Sequence, residues 1–343
     1  WGGFNVTEGG GDSAEVALEL MPGNKIRKYD TWHAMGQGAT TGSLVVTLEA
    51  LKEMHLTPED IQLIQNDTKT CPDTGMAGAS RSLYMDGNAT IIAANKLLAA
   101  MRKEDGTLRT YDEMKAEGIE TKYLGRYETN TTPGLCRLDP NTGIGDPTPA
   151  FTYCLNLAEV EVDTKTGKTT VLKFTCVDFV GRIGNIDAVN GQAYSGIMHG
   201  IGFALKEDYA DVKKHANMFG AGTSYIKDVP DDINLIHIDG AISDGPFGSS
   251  GASEAFQASG HCAVLNGIYN ACGVRIHEIP ALPEKVKAGL DAIAKGEKPY
   301  EPKKYFLGSD MYEELENIKE NPVQVGTQSF YVSLDDPTAE RPF

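Results

Sequence analysis

Two loops of one pattern, G-x-x-G-A-S, stand in the two halves of this chain: Gly75-Met76-Ala77-Gly78-Ala79-Ser80-Arg81 and Gly248-Ser249-Ser250-Gly251-Ala252-Ser253-Glu254. Each closes a series of signals that recurs in the same order, and a repeat of that kind constrains the fold before any single motif does. From Ala14-Glu15-Val16 a strand-like run reaches a turn at Gly23, and a second run passes through Ile26 to Trp32. From Ala158-Glu159-Val160 the same spacing leads to Gly167 and a run through Val171 to Cys176, so both read as hairpins with glycine turns. Each hairpin is followed by a loop, an apolar helical stretch (residues 43–54 and 193–205), a buried strand (61–67 and 233–239), the glycine loop, and a small-residue helix (88–101 and 263–272). The pattern predicts an α+β fold of two β-β-α-β-α repeats, with residues 1–130 as the first lobe, 131–290 as the second and 291–343 as an extended tail. Residues 106–150, polar and turn-rich, read as the connector.

Composition narrows the possible partners. The chain has 343 residues and a formal net charge of −17, a field that repels phosphate backbones and anionic lipid, so neither nucleic acid nor a membrane is an expected partner. It contains no apolar run of the ~18 residues needed to span a bilayer. Its cysteines, Cys71, Cys136, Cys154, Cys176, Cys262 and Cys272, have no C-x-x-C pair and no zinc or cluster spacing. They read as free thiols in a reducing, cytoplasmic setting. The N-x-T sequons at Asn5, Asn66, Asn88 and Asn130 carry weight only in a secreted chain and are taken as chance. The chain opens at Trp1 without a methionine and reads as a piece, or one subunit, of something larger.

Each G-x-x-G-A-S loop feeds a helix N-terminus, where unpaired N–H groups and the positive end of the dipole attract anions. Ser80, Ser82, Ser249, Ser250 and Ser253 add hydroxyl donors, although such loops also cap helices that hold no ligand. A further glycine loop, Met35-Gly36-Gln37-Gly38, lies between the first hairpin and its helix, with Asn190-Gly191-Gln192 at the equivalent place in the second half. A Gln there suits a heteroaromatic edge or an oxo ligand, or it simply closes a turn. Thr166-Gly167-Lys168-Thr169 is set aside as a phosphate loop because Val162 stands where the first glycine is required. His33, His199 and His261 show no metal-ligand spacing, and no metal-binding set is read from the sequence. Glu254 is a carboxylate on a glycine loop ahead of Ala255-Phe256. It reads either as a partly desolvated base with a raised pKa or as an ordinary first-turn glutamate.

Gly251-Ala252-Ser253-Glu254, the stretch Asn266-Gly267-Ile268-Tyr269-Asn270-Ala271-Cys272-Gly273-Val274-Arg275-Ile276, and Leu282-Pro283-Glu284-Lys285-Val286 strongly resemble the C-terminal molybdenum-binding region of the xanthine oxidase family. Trp32-His33-Ala34-Met35-Gly36-Gln37-Gly38, Ala79-Ser80-Arg81-Ser82 and Gly191-Gln192-Ala193 fall in the matching order, and the resemblance covers at least residues 14–287. The sequence looks most like the bacterial aldehyde oxidoreductases that carry molybdopterin cytosine dinucleotide. The resemblance implies a cofactor wedged between lobes, with His33, Gly36, Gln37 and Gly38 near the pterin and Ala79, Ser80, Arg81 and Ser82 along the pterin and phosphate path. It places Gln192 close to a molybdenum oxo ligand, Gly251, Ala252 and Ser253 around the cofactor, and Glu254 beside the metal as the catalytic base. It also implies oxidation of aldehydes to carboxylic acids with water as oxygen source. The partners it implies are the remaining half of the molybdenum domain and a domain or subunit carrying two-iron iron–sulfur clusters, together forming an oligomeric complex. Two readings compete. One is hydroxylation of an N-heterocycle such as a purine or nicotinate; the other is a non-enzymatic nucleotide-binding module, which would use the glycine loops without Glu254.

Overall fold

The computed structural model describes residues 2–5, 12–129, 150–211, 213–242 and 244–299. Strand β1 (Gly2–Asn5) is followed by β2 (Ser13–Met21) and β3 (Lys25–Asp30), an antiparallel hairpin that turns through Gly23 at φ 75°. Helix α1 (Ala39–Ala50) carries the chain across to β4 (Ile61–Gln65), which lies parallel to β3. The long helix α2 (Ser82–Met101), the short α3 (Tyr111–Ala116) and β5 (Lys122–Glu128) complete this half. A second antiparallel hairpin, β6 (Phe151–Val162) and β7 (Thr169–Phe179), turns near Gly167 at φ 77°. Helix α4 (Ile186–Leu205) and the single turn α5 (Met218–Ala221) lead to β8 (Asp232–His237), parallel to β7. Three helices follow: α6 (Ser253–Gln257), α7 (Gly260–Cys272) and α8 (Pro283–Ala294).

The strands form two mixed four-stranded sheets, ordered β4-β3-β2-β5 and β1-β6-β7-β8. The architecture is α+β, and β1 joins the sheet built mainly from the second half of the chain. Strand β6 alternates strictly, its Thr152, Cys154, Asn156 and Ala158 facing inward, as a strand half-covered by helices should. Under the first sheet Leu18, Leu20 and Ile26 pack on Leu97, Met101 and Met114. Under the second, Phe174 and Cys176 pack on Ile197, Ile201, Phe256 and Val264. A smaller cluster of Ala14, Val16, Tyr84, Met85, Ala89, Ala150 and Ile242 joins the halves. Among the described residues no helix is long and apolar enough to cross a membrane.

The structure corrects three details of the sequence reading. Helix α4 begins at Ile186, so residues 190–192 lie within a helix rather than a loop; the Asn185 side chain accepts the Ala188 N–H at 3.0 Å and fixes that start. Helix α2 begins at Ser82, directly on its glycine loop, six residues before the apolar pattern announces it. The supposed connector contains α3 and β5, and β5 is an edge strand paired along β2. Its apolar signal is weak because Gly125 is the residue pressed against α2, where a Cβ would come within 2.1 Å of the Ala89 carbonyl. The tail from residue 300 lies outside the described residues.

One charged cluster is sealed inside the first half. Lys28 Nζ donates to Asp86 Oδ1 at 2.6 Å and lies 3.3 Å from Asp30 Oδ2, with all three side chains fully buried. Burial pushes the Asp86 carboxyl up to about 6, against the pull of the Lys28 ammonium, and the Asp30 charge adds to the rise. An unfolded aspartate releases its proton near ~3.9, so between about pH 4 and pH 6 the folded state holds more protons than the unfolded one. The contribution of Asp86 to stability therefore falls as pH rises through that window and is flat above it. Asp86→Asn removes this loss: unfolding free energies of the two proteins from urea titrations between pH 4 and pH 7 should diverge by up to roughly 3 kcal/mol as pH rises. Parallel profiles would contradict the assignment.

Candidate functional site

A cavity of about 810 Å³ opens where loops and helix starts from the two halves of the chain meet. Gly36, Gln37 and Gly38 form one part of its wall. Gly36 sits at φ 106° with open space where its Cβ would be, so a ligand can approach the backbone there. The Gln37 amide folds onto its own turn, donating to the His33 carbonyl at 2.6 Å and accepting the Met35 N–H at 2.5 Å. Gly38 and Arg81 are the N-cap residues of α1 and α2; neither makes a side-chain cap, and the first residues of both helices line the cavity. Their free N–H groups and dipoles favour an anion at this wall.

Ser80 and Ser82 line the cavity, whereas Arg81 between them turns away into the protein. Its Nε and Nη2 hold Asp12 at 2.5 and 2.8 Å, Nη1 donates to the Thr74 and Met76 carbonyls at 3.0 and 2.6 Å, and Nη2 also donates to the Ser13 carbonyl at 3.0 Å. All five guanidinium donors are thus used within the chain. The preceding Ala79 and Ser80 are both left-handed, at φ 50° and 52°. That conformation costs a non-glycine residue about 1–2 kcal/mol, and the buried arginine pins the turn that pays it. Arg81 is thereby a structural clamp on the loop, and neither it, Ala79 nor the exposed His33 is part of the cavity wall.

From the second half come Gln192, on the second turn of α4, and the loop Gly251-Ala252-Ser253-Glu254 at the start of α6. Gly251 meets the first loop directly, since a Cβ there would lie 1.7 Å from the Ser80 carbonyl oxygen. Glu254 is half-buried; its Oε2 accepts the Ser80 hydroxyl at 2.8 Å, and its N–H donates to the same Oγ at 3.2 Å. Ser250 also lines the cavity, and its buried Oγ has no hydrogen-bond partner. Among the described residues no group of three or more His, Cys, Asp or Glu could hold a metal ion.

Sequence reasoning missed Arg182, an exposed cation on the cavity wall, together with Ser195 and Gln257. The available signal was positional: Arg182 follows β7 and Gly181 much as Trp32 follows β3. The clamp gives a direct test. Arg81→Met leaves the largely buried Asp12 unpaired and should cost about 3–5 kcal/mol in denaturant unfolding, well beyond the effect of losing a surface contact. A loss within 1 kcal/mol, as for an exposed pair, would contradict it.

The model of the molybdopterin cofactor-binding domain matches residues 2–230. The chain is 41% identical over 283 residues to an aldehyde oxidoreductase of Megalodesulfovibrio gigas, covering 82% of this chain and 31% of that protein. It is 28% identical to the probable hypoxanthine oxidase XdhD of Escherichia coli, covering 76% of this chain and 29% of that one. The solved aldehyde oxidoreductase from Desulfovibrio gigas superposes with a TM-score of 0.81 at 40% identity, over 85% of this chain and 32% of its own. The chain thus spans about a third of the length of the relatives it matches. With well over half of its residues inside the matched model and a solved structure 40% identical over 85% of its length, the chain belongs to the molybdopterin cofactor-binding domain family.

Proposed function

We propose that this chain encloses part of the cofactor of a molybdenum hydroxylase that oxidises aldehydes to carboxylic acids, with Glu254 as the proton acceptor. The observation that carries the reading is the placement of Glu254: a carboxylate on the wall of an 810 Å³ cavity, with one oxygen held by Ser80. The identity of 41% with an aldehyde oxidoreductase, against 28% with a hypoxanthine oxidase, supports an aldehyde over a purine as substrate.

The residues present fit a bulky anionic organic cofactor. Ser250 offers a buried hydroxyl that nothing in the described protein satisfies, and an atom so placed costs about 1–3 kcal/mol unless a ligand pairs with it. Gly36 leaves backbone open to close approach, and the uncapped starts of α1 and α2 supply N–H donors. We assign the phosphate-bearing part to those helix starts and to Arg182, and the pterin to the Gly36-Gln37-Gly38 wall. The cytosine dinucleotide form is the one that the sequence resemblance implies. The resemblance implies that the metal is held by the cofactor. When bound, the cofactor supplies the two-electron redox centre and the oxygen-transfer chemistry. Gln192 orients the group beside it through an amide that both donates and accepts. Glu254 removes a proton as the substrate carbon is hydroxylated, which requires its free oxygen to lie within hydrogen-bond reach of that proton.

The two halves are proposed to be repeats of one β-β-α-β-α unit. Asp30 at the end of β3 accepts from Gln65, its register partner on β4, and Thr40 on α1 donates to the same Gln65. Asp178 on β7 meets His237, its register partner on β8, at 2.7 Å, and His237 meets Asn190 on α4 at 2.8 Å. Two-iron iron–sulfur clusters and the rest of the molybdenum domain belong to other segments of an oligomeric complex, in a cytoplasmic, reducing setting that suits the adjacent free thiols of Cys154 and Cys176. Glu254→Gln in the complete enzyme should lower aldehyde-dependent dye reduction per molybdenum by ~10²- to 10⁴-fold. Cofactor content, read as molybdenum and as cytidine monophosphate released by acid, should stay at the parent level. A variant within about tenfold of the parent rate would remove Glu254 from the chemistry.

A further inference from the structure

Ser80 commits its hydroxyl to a single residue of the other half of the chain. Its Oγ donates to Glu254 Oε2 at 2.8 Å and accepts the Glu254 N–H at 3.2 Å. The second bond has the form of a helix cap supplied from outside the helix. Helix α6 has Ala252 at its N-cap position, which offers no side-chain acceptor, and Ser80 provides one from the opposite loop. The hydroxyl's one donor and one of its two acceptor lone pairs are thereby taken up by the side chain and backbone of the same glutamate.

Three features fix the hydroxyl where Glu254 needs it. Ser80 sits at φ 52° after Ala79 at φ 50°, so its side chain leaves the loop in a direction that ordinary backbone would not give. The clamp of Arg81 on Asp12, Ser13, Thr74 and Met76 holds that turn. Gly251 allows the second loop to close on the Ser80 carbonyl, where any side chain would collide.

We propose that Ser80 is a positioning residue for Glu254 rather than a hydroxyl that binds the cofactor. By holding Oε2 and the backbone N–H together, it fixes the side-chain torsions of Glu254 and aims Oε1 at the reacting group. This inference rests on Glu254 being the proton acceptor, and it adds the element that orients it. The position of the acceptor atom then depends on a residue from the other half of the chain, so the two loops must be closed on one another for the base to be aligned.

The test uses the complete enzyme with Ser80→Ala, Ser80→Gly, Glu254→Gln and the Ser80→Ala/Glu254→Gln double variant. Glycine is at home at positive φ, so Ser80→Gly removes the hydroxyl without added backbone strain and stands in if the alanine variant fails to fold. Either Ser80 variant should lower kcat about 10- to 100-fold, the scale expected of a misplaced catalytic group, with KM for the aldehyde and molybdenum content unchanged. In the Glu254→Gln background, Ser80→Ala should add no further loss, because the residue it acts through is already disabled. The crystal structure of the Ser80 variant should show the Glu254 carboxylate turned away from its parent position. A Ser80 variant at the parent rate, an unmoved carboxylate, or a loss that persists in the Glu254→Gln background would each overturn the inference, as would a loss that tracks missing molybdenum. Glu254→Gln at the parent rate would instead overturn the proton-acceptor reading itself, an outcome distinct from a slow Glu254→Gln beside a fully active Ser80→Ala.

Discussion

Arg81 is fully buried and spends every donor on its own chain: a two-point bond to Asp12 and three backbone carbonyls. A guanidinium in that position is tolerable only if all its donors are satisfied, since an unpaired buried charge costs several kcal/mol. Once satisfied, it fastens residues 12–13 to residues 74–76 and leaves the chain no easy route but the left-handed turn at Ala79 and Ser80. From that turn follow the start of α2, the place of Ser80 on the cavity wall, and the contact that Gly251 makes with it. The cavity is shaped from the loop outward, and the loop is shaped by one buried ion pair.

The second half supplies a carboxylate that the first half holds in place. Glu254 stands on a helix of a single turn, too short to have stability of its own and capped by a hydroxyl from across the cavity. Its neighbours Ala255 and Phe256 are buried against α4, where Gly196 leaves room for the Phe256 backbone. A rigid floor and a borrowed cap thus place a carboxylate that its own short helix could not. The asymmetry between the matching loops, Arg81 in one and Glu254 in the other, divides their tasks: the arginine is drawn inward as a clamp and the glutamate is held at the wall.

Much of this was legible in the sequence because it rests on short-range signals. The hairpin turns at Gly23 and Gly167, the parallel strands after α1 and α4, and the glycine loops on the cavity wall are set by local backbone preference and apolar periodicity. What escaped depends on residues distant in the chain. Strand β5 alternates in burial, but its central inward position is Gly125, set by the closeness of α2, so its apolar signal is weak where a strand's is usually strongest. Gln192 was read in a loop because the sequence around Gly191 looks like a turn, whereas the Asn185 cap commits the backbone to a helix earlier. The family resemblance places Arg81 along the cofactor path; the structure turns its guanidinium inward onto Asp12, 69 positions away. The Ser80 to Glu254 bond spans 174 positions and has no local signature at all.

The central claim is that the loops of the two halves close around a molybdenum cofactor with Glu254 beside its metal. Anomalous diffraction at the molybdenum edge, on crystals of the complete enzyme, locates the metal without reference to any assumed cofactor pose. A single molybdenum peak is expected in this cavity, next to the Glu254 carboxylate and on the side of Gln192. A molybdenum peak elsewhere in the protein, with this cavity holding only solvent, would contradict it.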